Sequence, residues 1–196
     1  MKIVILGSGN GSNALAILKL SSENALGETK IVGVFSDVAD AGILKHAKDH
    51  AVNNKFINSG TESSRLTGKF EEQWIDEIKQ LSPDLIVLAG FMRVIKQKFL
   101  STFKNKIINL HPSLLPSFPG INSIKQAFDK KVKITGCTVH WVNEKIDDGE
   151  IIAQAPVRIM EGDTLLSITQ KVHAAEYMLL PSVIKGLSDG NLDFPI

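Results

Sequence analysis

An asparagine and a histidine stand two residues apart in Ile107-Ile108-Asn109-Leu110-His111-Pro112. Alternate side chains of an extended strand share a face, so Asn109 and His111 point the same way. Histidine moves protons near neutral pH, and an asparagine amide can donate to a developing oxyanion. Pro112 has no N–H and ends the strand, which sets both groups at its carboxyl end. A polar strand end with its hydrogen bonds met internally fits the same pattern. Ser113 follows, but no base is assigned to it, which argues against a serine nucleophile.

A second candidate is the loop Gly7-Ser8-Gly9-Asn10-Gly11-Ser12-Asn13. It follows a short apolar run and opens a helical one. Glycines let the backbone turn tightly, and a helix start offers unpaired N–H groups with partial positive charge. That combination suits a phosphate. The spacing departs from the dinucleotide fingerprint, which places its third glycine one residue later. Asp37 stands near the position of that fingerprint's acidic residue, so a nicotinamide-dependent oxidoreductase is the alternative. A loop that needs glycines only for its shape is the other.

These groups need a frame. Apolar runs at Ile3–Leu6, Ile31–Phe35, Lys55–Ile57, Leu85–Leu88 and Ile107–Leu110 read as strands buried on both faces. Helices are expected between them near Asn13–Leu20, Ala41–Asp49, Arg65–Leu81 and Lys96–Phe103. In the third, Phe70, Trp74, Ile78 and Leu81 recur at helical spacing. The alternation predicts an α/β fold with a doubly wound, mainly parallel sheet. After Pro119 the pattern changes. Ile134–Val142 and Ile151–Ile159 predict an antiparallel strand pair across the polar loop at 143–150, and a long helix follows over Thr164–Leu187.

The chain has 196 residues, 43% of them hydrophobic, and a formal net charge of +1. This suits one domain with a real core, and the charge gives no pull toward nucleic acid or a membrane surface. The single cysteine, Cys137, excludes an internal disulfide and any CxxC motif. The apolar run at the start is too short for a signal peptide, so a cytoplasmic location is expected. No interface stripe separates from the core.

Asn109-Leu110-His111-Pro112-Ser113-Leu114-Leu115-Pro116 resembles the signature of the folate-dependent formyltransferases. Ala89-Gly90-Phe91-Met92-Arg93 and Gly9-Asn10-Gly11-Ser12-Asn13 resemble the branch that formylates a glycinamide ribonucleotide in purine biosynthesis. The likeness runs from Met1 to about Leu192. It implies a Rossmann-like fold and a one-carbon transferase. The cosubstrate would be 10-formyltetrahydrofolate, the acceptor the amine of N1-(5-phosphoribosyl)glycinamide, and no metal would be needed. It implies that Gly11, Ser12 and Asn13 hold the substrate phosphate. Arg65, Met92, Arg93, Val94, Ile95 and Asn109 would contact the folate. Asn109, His111 and Asp147 would form the catalytic set. Within one domain, residues 1–100 would mainly serve the phosphorylated substrate, and residues 101–196 mainly catalysis and folate.

Composition alone reads Ile146-Asp147-Asp148-Gly149 as an acidic turn. The resemblance selects Asp147 and leaves Asp148 in solvent. On the last helix, Leu165, Ile168, Val172, Ala175, Leu179 and Val183 form an apolar stripe, with Glu176 in or beside it. A carboxylate there is costly unless it is paired or reaches a polar cavity, although it could also curl out at the stripe edge. The family uses such a glutamate for ribose hydroxyls. His140 reads as a packing or supporting histidine. Asn122 replaces a histidine found in some relatives, which leaves no role for an extra histidine there.

Other functions meet specific objections. A formyltransferase acting on initiator tRNA needs a further RNA-binding domain and a basic surface. A formyl-folate hydrolase needs a domain ahead of the catalytic one, and none fits before Met1. A non-catalytic nucleotide-binding module would bind phosphate ligands without formyl transfer.

Overall fold

The computed structural model describes residues 1–60 and 64–195. Seven strands form one sheet, β1 (Lys2–Leu6), β2 (Lys30–Ser36), β3 (Asn54–Phe56), β4 (Leu85–Leu88), β5 (Ile107–His111), β6 (Ile134–Trp141) and β7 (Ile151–Arg158). Their order is β3-β2-β1-β4-β5-β6-β7. The first five run parallel, and β6 and β7 complete the sheet in antiparallel ladders. The apolar runs dictate this. β1 and β4 are buried on both faces, as parallel strands covered by helices must be.

Among the described residues, six helices cover the sheet. α1 (Ser12–Ser22), α2 (Gly42–Asp49), α5 (Ser123–Asp129) and α6 (Leu165–Ser188) pack on one face. α3 (Gly68–Lys79) and α4 (Gln97–Thr102) pack on the other, where Trp74 is fully buried against Phe91 with ring centroids 5.1 Å apart. The chain reverses its winding between β1 and β4, and ligands of such sheets bind at the carboxyl ends beside that switch.

Two expectations need correction. The helix predicted from Arg65 begins at Gly68, because Arg65 pairs instead with Val94 in a short parallel bridge. α5 was not foreseen. Its Ile124, Ala127 and Phe128 carry a helical spacing, but only over a single short stretch.

Candidate active site

β5 and β6 build the centre of the site. Their ladder sets Asn109 opposite His140 and His111 opposite Thr138, so all four side chains share one face. His111 and His140 are buried, and Asn109 is half-buried. The loop after β6 returns Asp147 to this face. Asn143 Oδ1 accepts from the Lys145 N–H, and Asn143 Nδ2 donates to the Asp148 carbonyl, which closes the turn. A Cβ at Gly149 would overlap the Trp141 carbonyl, so the loop can close this tightly only with glycine there. Asp147 itself adopts φ +52°, a left-handed conformation that aspartate tolerates better than most residues.

The resulting contacts are dense. Asp147 Oδ2 lies 3.3 Å from His111 Nδ1 and accepts from the Gly120 N–H at 2.8 Å. Asp147 Oδ1 lies 3.7 Å from His140 Nε2 and accepts from Asn109 Nδ2 at 3.5 Å. His140 Nδ1 faces the Trp141 carbonyl at 2.9 Å, and its Nε2 lies 3.2 Å from Asn109 Nδ2. His111 Nε2 faces the Phe118 carbonyl at 2.9 Å. Both ring nitrogens of His111 thus face oxygen atoms, one of the Asp147 carboxylate and one of the Phe118 carbonyl.

Burial pushes the Asp147 carboxyl up. The His140 hydrogen bond, the Gly120 N–H and the charges of His111 and His140 outweigh it and hold the group below its ordinary value. Asp147 is therefore an anion at neutral pH. Asp148 is exposed and pairs with Lys145 at 3.3 Å, so it takes no part in this cluster. Ser113 is buried, and its hydroxyl donates to the Ser117 and Phe118 carbonyls. It shapes the loop that meets His111.

The glycine loop leaves β1 at the switch point. Gly11 caps α1 with φ +74°, and no side chain caps the helix start. A Cβ at Gly11 would lie 2.6 Å from Ile43 Cα, so only glycine lets α1 and α2 approach this closely. The first turn, at Ser12 and Asn13, presents helix N–H groups suited to an anion. The capping box of Thr164 and Ser167 starts α6. Its buried line runs through Ile168, Val172, Glu176, Leu180 and Val183. Glu176 lies within the stripe, at 3% exposure, whereas Leu165, Ala175 and Leu179 are only half-buried. Glu176 Oε2 accepts from Asn13 Nδ2 at 3.0 Å and from His173 Nδ1 at 2.8 Å. The Glu176 hydrogen bond raises the His173 pKa. Asn13 Oδ1 is buried with no hydrogen-bond partner among the described residues. Burial, then the Glu176 charge, push the Cys137 thiol up to about 12, so it is no nucleophile.

The 92–95 segment leaves β4, whose Leu88 pairs with Asn109 on β5. Met92 is 65% exposed, while Ile95 is buried. Val94 N–H donates to the Ser64 carbonyl and the Val94 carbonyl accepts from Leu66 N–H, which places exposed Arg65 beside this segment. Arg93 pairs with Asp37, so Asp37 is engaged by a cation rather than presented to a ribose. Sequence reasoning understated His140 and missed His173 and Ser8. The signals were positional: His140 is two residues from Thr138 on β6, and His173 is one helical turn before Glu176. Two hollows of about 470 and 360 Å³ lie near the amino ends of β4 and β5. Asn109, His111 and Asp147 line neither, so the site is assigned by its chemistry and its place at the strand ends.

The arrangement joins a helix start whose N–H groups suit an anion, a buried carboxylate beside an acceptor with no partner among the described residues, and an amide–imidazole–carboxylate cluster. Such a cluster can stabilise negative charge on a carbonyl oxygen and deliver a proton. Residues 1–184 match the family model described as formyl transferase. The chain is 37% identical over 192 residues to a phosphoribosylglycinamide formyltransferase of Escherichia coli, covering 98% of this chain and 89% of that protein. It is 40% identical over 187 residues to one of Bacillus subtilis, covering 95% and 94%. The solved structure of glycinamide ribonucleotide transformylase 1 from Symbiobacterium toebii superposes with a TM-score of 0.91 at 35% identity, covering 100% of this chain and 91% of that one.

Proposed function

This chain belongs to the formyl transferase family, and we propose that it transfers a formyl group from 10-formyltetrahydrofolate to the amine of N1-(5-phosphoribosyl)glycinamide. The observation that carries this reading is the cluster of Asn109, His111 and Asp147, beside the 92–95 segment and on the same carboxyl edge of the sheet as the glycine loop. The location that goes with it is the cytoplasm, and the pathway is purine biosynthesis.

The helix start at Gly11, Ser12 and Asn13 receives the substrate phosphate, and Glu176 takes the ribose hydroxyls. Asn13 Oδ1, buried and unpartnered, supports a hydrogen-bonding ligand beside Glu176. Arg65, Met92, Arg93, Val94 and Ile95 line the folate side. Within the single domain, residues 1–100 mainly hold the phosphorylated substrate, and residues 101–196 mainly supply the catalytic groups.

The substrate amine attacks the formyl carbon, and the carbonyl electrons move onto oxygen. An Asn109 N–H donates to that oxygen; its contact to Asp147 at 3.5 Å is long and easily exchanged. His111, kept charged by Asp147, turns its Nε2–H from the Phe118 carbonyl toward the intermediate. Collapse breaks the carbon–nitrogen bond to the folate. His111 delivers a proton to the departing folate nitrogen, and the amine's surplus proton restores the imidazolium. No covalent enzyme intermediate is required.

The test is to mix the protein with both substrates and follow deformylated folate by absorbance. Product should form only when the glycinamide substrate is present. Product without it would indicate a hydrolase, and no product would indicate a binding module.

A further inference from the structure

Asp37 follows β2 at the carboxyl edge of the sheet. Its Oδ2 accepts from Arg93 Nε at 2.6 Å, and the two side chains are 2% and 15% exposed. Ser8 makes a second connection to the same segment. Its N–H donates to the Gly90 carbonyl at 3.0 Å, and its hydroxyl accepts from the Met92 N–H at 2.9 Å. The end of β2 and the glycine loop thus both grip residues 90–93, while Met92 stays open to solvent.

We propose that Asp37 is a positioning residue for the folate cosubstrate, acting through Arg93 to fix the backbone of the 92–95 segment. This rests on the reading that the segment lines the folate cleft. A buried ion pair adds little net stability over apolar packing of the same volume, so stability alone is a weak reason for one at this point. Geometry is a stronger reason. The guanidinium is planar and directional, and a carboxylate 2.6 Å from Nε fixes where the Arg93 side chain, and hence its backbone, leaves the sheet. Ser8 belongs to the phosphate loop, so the same straps hold the two substrate regions in register.

The experiment compares wild type, Asp37→Asn and Ser8→Ala. Each is assayed for the KM of both substrates and for amide hydrogen exchange. Asp37→Asn keeps the shape and removes the charge. It should raise the KM for 10-formyltetrahydrofolate about tenfold, the size expected for one lost charged hydrogen bond. The KM for the phosphorylated amine should stay within about twofold, and exchange should accelerate at Met92–Ile95 alone. Ser8→Ala should move the same KM in the same direction, and it tests the strap if the buried Asp37 variant does not fold. Unchanged folate KM with unchanged exchange, or an equal rise in both KM values, overturns the proposal. A wild-type protein that transfers no formyl group overturns the functional reading, and the folate assignment with it. The exchange data then still report whether Asp37 holds the segment.

Discussion

Replacing Asp147 by asparagine exchanges one oxygen for an amide nitrogen and removes the charge facing His111. Oδ2 lies 3.3 Å from His111 Nδ1, and the side chains are 10% and 6% exposed. At an effective dielectric near 20, a unit pair at that separation attracts by about 5 kcal/mol. Desolvation of the carboxylate opposes this, so about 3–4 kcal/mol is the portion expected to act on the charged ring. That corresponds to a fall in kcat of about 100- to 1000-fold. The asparagine carbonyl can still accept from the Gly120 N–H, so the loop should keep its shape. The assay is initial rates over a grid of both substrate concentrations, with a thermal melt as the folding control. The KM for the phosphorylated amine should change by less than about twofold, because the anchors proposed for it lie at α1 and α6. A variant that melts like wild type and keeps kcat within about threefold would refute the electrostatic role of Asp147.

Further outcomes follow from the same contacts. Glu176→Gln should raise the KM for the phosphoribosyl substrate about tenfold and bring the His173 titration back down, as read by NMR. His173 is raised in the folded state by Glu176, so the pair's stabilisation is full below the unfolded histidine value of about 6.5 and fades as pH rises through the folded one. Urea unfolding of wild type against Glu176→Gln should therefore show its larger difference in acid. Asp147 has the opposite sign. Its carboxyl is lowered, so its stabilisation is present above the ordinary aspartate value and is lost as pH falls through the folded one. Gly11→Ala places a Cβ 2.6 Å from Ile43 at a positive φ; a stability loss of about 1–3 kcal/mol is expected in a melt, with weaker phosphate-substrate binding. Ser113→Ala should lose about 1 kcal/mol of stability and reduce kcat several-fold through the loosened Phe118 carbonyl, and mass spectrometry should trap no formylated enzyme in either form.

Much of the frame was legible because its signals are local. Ile3–Leu6 and Leu85–Leu88 are uninterrupted apolar runs, and these become the doubly buried centre of the sheet. Asn109 and His111 were legible for a similar reason, since alternation fixes their common face. Arg65 was misplaced because the helical spacing of Phe70, Trp74 and Ile78 says nothing about where the helix starts, whereas the bridge to Val94 depends on a segment distant in sequence. Asp147 could be named from resemblance but not from composition. Its approach to His111 depends on the left-handed turn at φ +52° and on Gly149 beneath the Trp141 carbonyl. His140 could not be placed opposite Asn109 until the β5–β6 register was known. For Glu176 the spacing allowed a place within or beside its stripe, and the packing of α6, which shifts the core line from Leu165, Ala175 and Leu179 by about one position, puts it within. Asp37 shows the reverse difficulty. The glycine loop suggested one partner for it, and Arg93 supplies another.

The most direct test labels the transferred carbon. Incubation of the protein with 10-formyltetrahydrofolate carrying ¹³C in the formyl group, and with N1-(5-phosphoribosyl)glycinamide, is followed by ¹³C NMR. The label should leave the folate and reappear as a formamide on the glycinamide nitrogen, with no free formate. Label that remains on the folate, or appears as formate, would contradict it.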